Sequence, residues 1–135
     1  MSEAKDRRTA AQKTGDSGEA AALSYLKHHG FELVAKNYHS RYGEIDIIVK
    51  DSEYIVFVEV KTRNQFAVSR PSDFVDSRKQ KKIMKTAAVF FSEHEYDLQP
   101  RFDVIEVTYQ KSTKEIIDIH HLENAFIQTE DYAVF

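Results

Sequence analysis

Residues 43–63, GEIDIIVKDSEYIVFVEVKTR, constrain the fold of this chain more than any other segment. Two apolar runs flank a polar centre, which predicts two strands joined as a hairpin. The second run is apolar on both faces over residues 54–58, a pattern typical of a central strand buried on both sides. Charges nevertheless interrupt both runs, because Asp46 lies among isoleucines and Glu59 and Lys61 lie among valines. The hairpin is therefore either an ordinary solvent-facing one or a place where charged groups are needed.

The chain divides into three segments by composition. The polar residues 1–14 predict a flexible leader, residues 15–123 a single domain, and residues 124–135 a C-terminal tail. A chain of 135 residues is long enough to bury one hydrophobic core. The first helix is expected to start at Asp16 or Ser17, because either side chain can cap it.

The periodicity of the remaining residues predicts the order α-β-β-β-α-β-β, which is an α/β (α+β) fold with a mixed sheet. Besides the hairpin, the predicted strands cover residues 31–39, 101–109 and 115–122. A long amphipathic helix is expected from a cap at Ser72 or Asp73 to about His94, with Phe74 on its apolar side. This helix would connect the third and fourth strands by a crossover and make them parallel.

Composition and charge exclude several classes of protein. Without cysteine the chain has no disulfide, thiolate metal site or cysteine nucleophile. No apolar run approaches the ~20 residues that span a bilayer, and the charged N-terminal segment is unlike a secretory signal. We therefore expect a cytoplasmic protein without a membrane partner. The net charge is −3, yet residues 61–85 contain eight basic residues and two acidic ones, so one surface could still attract phosphates.

The length of the hairpin loop decides whether Asp46 lies beside Glu59. A two-residue loop at Asp51 and Ser52 makes Glu59 the diagonal neighbour of Asp46 on the same face. A four-residue loop over residues 51–54 places the two carboxylates directly opposite each other. A three-residue loop sends them to opposite faces unless a bulge intervenes. The sequence alone leaves these registers open.

Strict alternation along each strand predicts which side chains share a face. The expected groups are Glu44, Asp46 and Ile48; Ile45, Ile47 and Val49; and Glu59 with Lys61. Carboxylates crowded in a partly buried place repel each other unless a cation is present, and their oxygens are the ligands that Mg²⁺ prefers. A lysine on the same face could hold a phosphate or activate a water. The alternative is that Glu59 and Lys61 form solvent-facing cross-strand pairs.

The spacing of these charges resembles the PD-(D/E)XK nuclease superfamily, in which an aspartate is followed by an E-x-K element, here Glu59-Val60-Lys61. The blocks SGEAAALSYLKHHGF, GEIDII, FVEVKTR and RFDVIEV, over roughly residues 15–108, resemble the YraN-like family. That bacterial group is described as predicted endonucleases similar to archaeal Holliday-junction resolvases. The resemblance implies a restriction-endonuclease-like αβββαβ core with a mixed central sheet flanked by helices.

The resemblance also implies roles for individual residues. It makes Asp46 and Glu59 ligands of Mg²⁺ or Mn²⁺ and Lys61 the catalytic lysine, and Glu19 matches an acidic residue that completes the site in resolvase-like relatives. A local role for Glu19, in the first turn of its helix beside the positive terminus, is the alternative. The implied activity is hydrolysis of phosphodiester bonds in DNA, in branched or damaged substrates, by a homodimer. The alternative function is a non-catalytic DNA- or protein-binding module that retains the fold.

Basic residues around the hairpin and the long helix are candidates for nucleic-acid binding. They are Arg78, Lys79, Lys81 and Lys82, with Lys85 in the same helix, and Arg63 and Arg70 as weaker candidates. A solvated helix face is the alternative, because charge runs commonly have that role. Arg101 and Asp103 are expected to form a structural ion pair, and the adjacent histidine pairs, His120-His121 among them, are expected on the surface.

Overall fold

The computed structural model describes residues 6–68 and 76–126 of the chain. Their elements follow the predicted order α-β-β-β-α-β-β. The elements are α1 (Ala10–His28), β1 (Glu32–Ser40), β2 (Gly43–Lys50), β3 (Tyr54–Asn64), α2 (Ser77–Glu93), β4 (Gln99–Tyr109) and β5 (Ile116–Leu122). The mixed α+β fold predicted from the sequence, with an αβββαβ core, is confirmed.

The five strands form one sheet in the order β1-β2-β3-β4-β5. Strands β3 and β4 are parallel, with Tyr54 opposite Gln99 at one end and Asn64 opposite Tyr109 at the other. The other neighbouring pairs are antiparallel. Because β3 and β4 run in the same direction, the chain between them must return to the end of the sheet where β3 began. It does so through α2, which confirms the predicted crossover.

Two hydrophobic clusters cover opposite faces of this sheet. One contains Ile55 and Phe57 of β3 together with α2 residues such as Phe90, and we name it the α2 face. The other contains Val56 and Val58 together with α1 residues, and we name it the α1 face. These four β3 side chains are at most 1% exposed. Strand β3 is therefore the central strand that its continuous apolar run predicts.

Helix α1 starts at Ala10, six residues before the predicted start at Asp16. Thr9 is its N-cap: Thr9 Oγ1 accepts from Gln12 N–H, and Gln12 Oε1 accepts from Thr9 N–H, which together form a capping box. Apolar periodicity misses this turn because the exposed side chains at residues 10–13 show no apolar face. Residues 10–14, part of the predicted leader, are therefore helical.

Helix α2 starts at Ser77, with Asp76 as its N-cap. The carboxylate of Asp76 accepts from the backbone N–H of Lys79 at 2.8 Å. The predicted caps Ser72 and Asp73, and Phe74, lie outside the described residues. Among the residues that the structure describes, neither helix is long and apolar enough to cross a membrane.

A buried polar cluster ties β4 to β5 and to the start of the predicted tail. Arg101 donates two hydrogen bonds, of 3.0 and 2.9 Å, to the fully buried Asp103, which confirms the expected ion pair. His121 also donates to Asp103, and the backbone N–H of Asn124 completes the set. Burial alone would raise the pKa of Asp103, but the hydrogen bonds from His121 and Arg101 outweigh it and lower that pKa. The side chain of His121 is only 6% exposed, so the predicted surface position is wrong.

Gly18 lets α1 lie directly against β3. A Cβ at this position would overlap Oγ1 of Thr62, and Gly18 itself is buried. Gly15, one turn earlier, has no atom within 4 Å of the place a Cβ would take. Substitution of Gly18 therefore tests the close approach of α1 to β3, whereas substitution of Gly15 tests only the low helix propensity of glycine.

Gly18→Ala should destabilise the protein by about 1–3 kcal/mol, because the added methyl group must push α1 away from Thr62. Gly15→Ala should instead stabilise it by about 0.5–1 kcal/mol, through higher helix propensity. Urea unfolding monitored by circular dichroism measures both. Equal stability of the two variants would show that the contact between α1 and β3 tolerates a larger residue.

Candidate functional site

The hairpin adopts the four-residue loop, one of the three registers that the sequence left open. Lys50 pairs with Ile55 and Ile47 with Val58. Continuing the same register by one residue places Asp46 opposite Glu59. The carboxylate of Asp51 fixes the loop, since it accepts from the N–H groups of residues 53 and 54 at 2.8 and 2.7 Å.

The β2–β3 ladder ends at Asp46 because its side chain replaces a backbone acceptor. The last backbone pair is Ile47 with Val58, and beyond it the N–H of Val60 donates to Asp46 Oδ2 at 2.8 Å. A backbone group buried in a sheet must find a partner, and here that partner is a carboxylate. The two strands therefore part at this point, and one carboxylate oxygen is held in the plane of the sheet.

The side-chain alternation of β2 breaks beside Asp46, which corrects the predicted faces. Ile47 and Val49 lie on the α1 face as expected, but Ile45 lies on the α2 face. On the neighbouring strand, Asn37 has a left-handed φ of 50°, between the residues that pair with Ile45 and Ile47. Asn is one of the few residues that adopt this conformation readily. Strict alternation therefore gives the wrong face for Ile45, at the place where the neighbouring strand is irregular.

A cleft of about 420 Å³ opens where the strands part, between β2, β3 and the N-terminal end of α2. Its lining residues are Gly43, Glu44, Asp46, Glu59, Asp76, Arg78, Lys79, Lys82 and Ile83. Glu59 is 8% exposed, and its Oε1 lies 2.5 Å from Nζ of Lys79 and 4.0 Å from Nζ of Lys61. The cleft thus contains two neighbouring carboxylates, one of them paired with a lysine of α2.

Burial and like charge change the proton affinities of these groups. Burial, and then the charge of Glu59, raise the pKa of Asp46 to about 7. Burial, and then the neighbouring Lys79, lower the pKa of Lys61. Burial opposes the charge on Lys79 as well, but its hydrogen bond to Glu59 outweighs this and raises the pKa. The two carboxylates repel each other, as expected from the sequence. Lys61 and Lys79 together compensate their negative charge.

Glu19 lies near the middle of α1, because the helix starts at Ala10. The predicted position in the first turn, and with it the local role beside the helix terminus, is therefore wrong. Burial, followed by the charges of Asp16 and Glu44, raises the pKa of Glu19. Its charge in turn contributes to the raised pKa of Asp46, but Glu19 does not line the cleft.

The carboxylate oxygens in the cleft suit a metal ion that retains several of its bound water molecules. Within the described residues, no three histidine or acidic side chains are arranged to hold a metal ion. Mg²⁺, however, is commonly bound through one or two carboxylates and completes its shell with waters. Asp46 and Glu59 offer those hard oxygens, and the raised pKa of Asp46 reflects a negative charge that a cation would stabilise.

The predicted basic residues divide into two groups. Arg78, Lys79 and Lys82 line the cleft, whereas Lys81 is exposed on α2 outside that lining. Arg63 forms an ion pair with Glu106 of β4 on the sheet and does not line the cleft. Arg70 lies outside the described residues. The pairing of Lys79 with Glu59 was missed from the sequence, because twenty positions separate the two residues and the basic run does not single out one lysine.

Asp46→Asn should make the stability of the metal-free protein less dependent on pH. The pKa of Asp46 is about 7 in the fold against an ordinary 3.8, so between these values the folded protein binds more protons than the unfolded chain. Stability therefore falls as the pH rises through this range. The unfolding free energy of the parent should drop, relative to the variant, by on the order of 2 kcal/mol from about pH 5 to about pH 8.

Urea unfolding at several pH values measures this difference. The exposed Asp118 supplies the control, because Asp118→Asn should leave the pH dependence of the parent unchanged. A constant offset between the parent and Asp46→Asn across the range would mean that the Asp46 carboxyl is not perturbed as described.

Comparison with known proteins identifies the family. Residues 18–107 match the model of uncharacterised protein family UPF0102. A UPF0102 protein of Caldanaerobacter subterraneus subsp. tengcongensis is 41% identical over 113 residues, which cover 83% of this chain and 93% of the relative. One from Caldicellulosiruptor saccharolyticus is 38% identical over 116 residues, 85% of this chain and 98% of the relative. One from Acinetobacter baumannii is 41% identical over 127 residues, which cover 86% of this chain and 96% of the relative.

These names carry no activity, so the nuclease affiliation implied by the sequence resemblance stays a prediction. Both the family model and the relatives span the hairpin, the cleft and α2, and the relatives are matched over nearly their whole length. The chain belongs to the uncharacterised protein family UPF0102.

Proposed function

We propose that this protein is a divalent-metal-dependent endonuclease that hydrolyses phosphodiester bonds in DNA. The observation that carries the proposal is the pair of neighbouring carboxylates, Asp46 and Glu59, in one open cleft, with Lys79 in the same lining and Lys61 4.0 Å from Glu59. A purely structural hairpin gains nothing from crowding these groups, because their repulsion costs free energy. Metal-dependent hydrolysis of a phosphodiester uses oxygen ligands for the ion together with cationic groups near the phosphate.

In this proposal Asp46 and Glu59 hold Mg²⁺ or Mn²⁺, which would supply a polarised water and neutralise phosphate charge. The hydrogen bond from Val60 N–H to Oδ2 fixes the orientation of the Asp46 carboxylate toward Glu59 and the cleft. Lys61 either stabilises the developing charge on the phosphate or accepts a proton from the attacking water, and its lowered pKa suits the second role. Glu19 contributes negative charge to the carboxylates from α1.

The wall of the cleft formed by α2 would bind the backbone of the substrate. Arg78 and Lys82 are exposed and line the cleft, so both can reach phosphates without giving up a buried partner. Branched or damaged DNA as the substrate, and a homodimer that cuts two strands, follow from the resemblance to resolvases and belong to the proposal.

A non-catalytic DNA- or protein-binding module is the second candidate. The contact between Lys79 and Glu59 favours it, because a lysine already neutralises one of the two carboxylates. The two candidates predict different results in a cleavage assay and similar results in a binding assay.

Mg²⁺ or Mn²⁺ should support cleavage of linear, flapped or four-way DNA. Asp46→Ala and Lys61→Ala should each lower the rate by about 100-fold or more, as expected when one group that stabilises the transition state is removed. Asp118→Ala and Lys111→Ala remove one exposed carboxylate and one exposed ammonium elsewhere and should leave the rate unchanged. Undiminished cleavage in both cleft variants would refute the mechanism, and DNA binding without cleavage in any metal would favour the binding module.

The double variant Arg78→Gln/Lys82→Gln should bind DNA more weakly at every sequence. Each lost phosphate contact should reduce the slope of log affinity against log salt by about 1. Fluorescence anisotropy at several salt concentrations measures the slope. Lys27→Gln/Lys111→Gln removes the same charge from exposed positions outside the cleft, and an equal loss of slope there would mean that α2 is not the binding surface.

A further inference from the structure

Lys79 occupies the most buried carboxylate of the cleft. Its Nζ lies 2.5 Å from Glu59 Oε1, whereas Nζ of Lys61 lies 4.0 Å from the same oxygen. Because Glu59 is only 8% exposed, water hydrates its charge poorly, so the loss of a counter-ion would cost free energy. Lys79 therefore supplies the main compensation for Glu59, and the oxygen it contacts is closed to another cation while the contact lasts.

Two carboxylates and two lysines form a group around Glu59 whose formal charges balance without any ion, and among the described residues that line the cleft the other charges, Glu44 and Asp76 against Arg78 and Lys82, also cancel. Asp46 and Glu59 carry two negative charges when ionised, and Lys61 and Lys79 carry two positive charges. A divalent cation added to this group would leave an excess of two positive charges in a partly buried place, where repulsion is weakly screened. The balance returns if one ammonium moves away and an anion approaches.

Lys79 is in direct contact with Glu59 and has room to move away from it. It is the third residue of α2, and its side chain is 40% exposed, so the long stem can turn outward into the cleft while its backbone N–H stays bonded to Asp76. The N-terminal turn of a helix disfavours a cation. An ammonium released from Glu59 would therefore gain from contact with another anion, and the exposed Arg78 and Lys82 mark the side from which a phosphate would come.

We propose that Lys79 is a displaceable counter-ion: it holds Glu59 until a divalent cation takes that carboxylate, and the released ammonium then binds the phosphate backbone of the substrate. This inference rests on the proposed function. It adds that the metal ion and the Lys79 ammonium compete for the carboxylate of Glu59. Metal binding and DNA binding then support each other, because the same displacement frees a cation for the DNA.

Mn²⁺ titration by isothermal calorimetry tests the competition without any cleavage. Lys79→Gln should bind Mn²⁺ about three- to tenfold more tightly than the parent, since it removes a competing charge. Lys111→Gln, which removes one exposed lysine outside the cleft, should change the affinity by less than about twofold. Lys79→Arg, which keeps a positive charge at Glu59, should stay within about twofold of the parent.

DNA binding gives the second readout. In anisotropy titrations of a labelled duplex, Lys79→Gln should lower the affinity about threefold or more in the presence of Ca²⁺, a hard ion that carboxylates also bind, and less in EDTA. Equal Mn²⁺ affinity of parent and Lys79→Gln, or tighter Mn²⁺ binding by Lys79→Arg, would overturn the inference.

One further variant separates this inference from the proposed function. If Asp46→Asn weakens Mn²⁺ binding and Lys79→Gln leaves it unchanged, the metal site exists and only the displacement is wrong. If Asp46→Asn binds Mn²⁺ as well as the parent does, the metal site is absent, and the proposed function and the displacement are both wrong.

Discussion

The hydrogen bond from Val60 N–H to Asp46 is the interaction on which the candidate site depends. It ends the β2–β3 ladder with a side chain in place of a backbone carbonyl, so the strands part without leaving a buried donor unpaired. The cleft lies where they part, beside the N-terminal end of α2. A β2 strand with an apolar residue at this position would lose that acceptor. One carboxylate thus shapes the cleft and supplies one of its charges.

Compensation of charge is the second constraint, and it links three elements of the fold. Strand β2 supplies Asp46, β3 supplies Glu59 and Lys61, and α2 supplies Lys79. Removing one partner of a buried ion pair leaves the other uncompensated, which costs more than the pair contributes. The cleft therefore has a stable arrangement without an ion, while burial and then the charge of Glu59 raise the pKa of Asp46 and make its negative charge unfavourable. That combination supports the proposed site, in which a divalent cation binds reversibly.

The fold was more predictable from the sequence than the site. The two-sided burial of β3 followed from its local apolar pattern, because that pattern reports how the strand is covered, and its parallel pairing with β4 followed from the helix predicted between them. The register of the hairpin did not follow, since three loop lengths fit the same residues and the carboxylate of Asp51 selects one of them. The contact of Lys79 with Glu59 and the burial of His121 depend on tertiary packing between distant segments, which periodicity does not report.

Anomalous diffraction from crystals soaked in Mn²⁺ would locate the ion without reference to activity or affinity. We expect one strong peak in the cleft, about 2 Å from a carboxylate oxygen of Asp46 and from one of Glu59. In that structure Nζ of Lys79 should no longer contact Glu59. If a saturating soak gives no peak in the cleft, or a peak near neither carboxylate, Asp46 and Glu59 do not hold the ion.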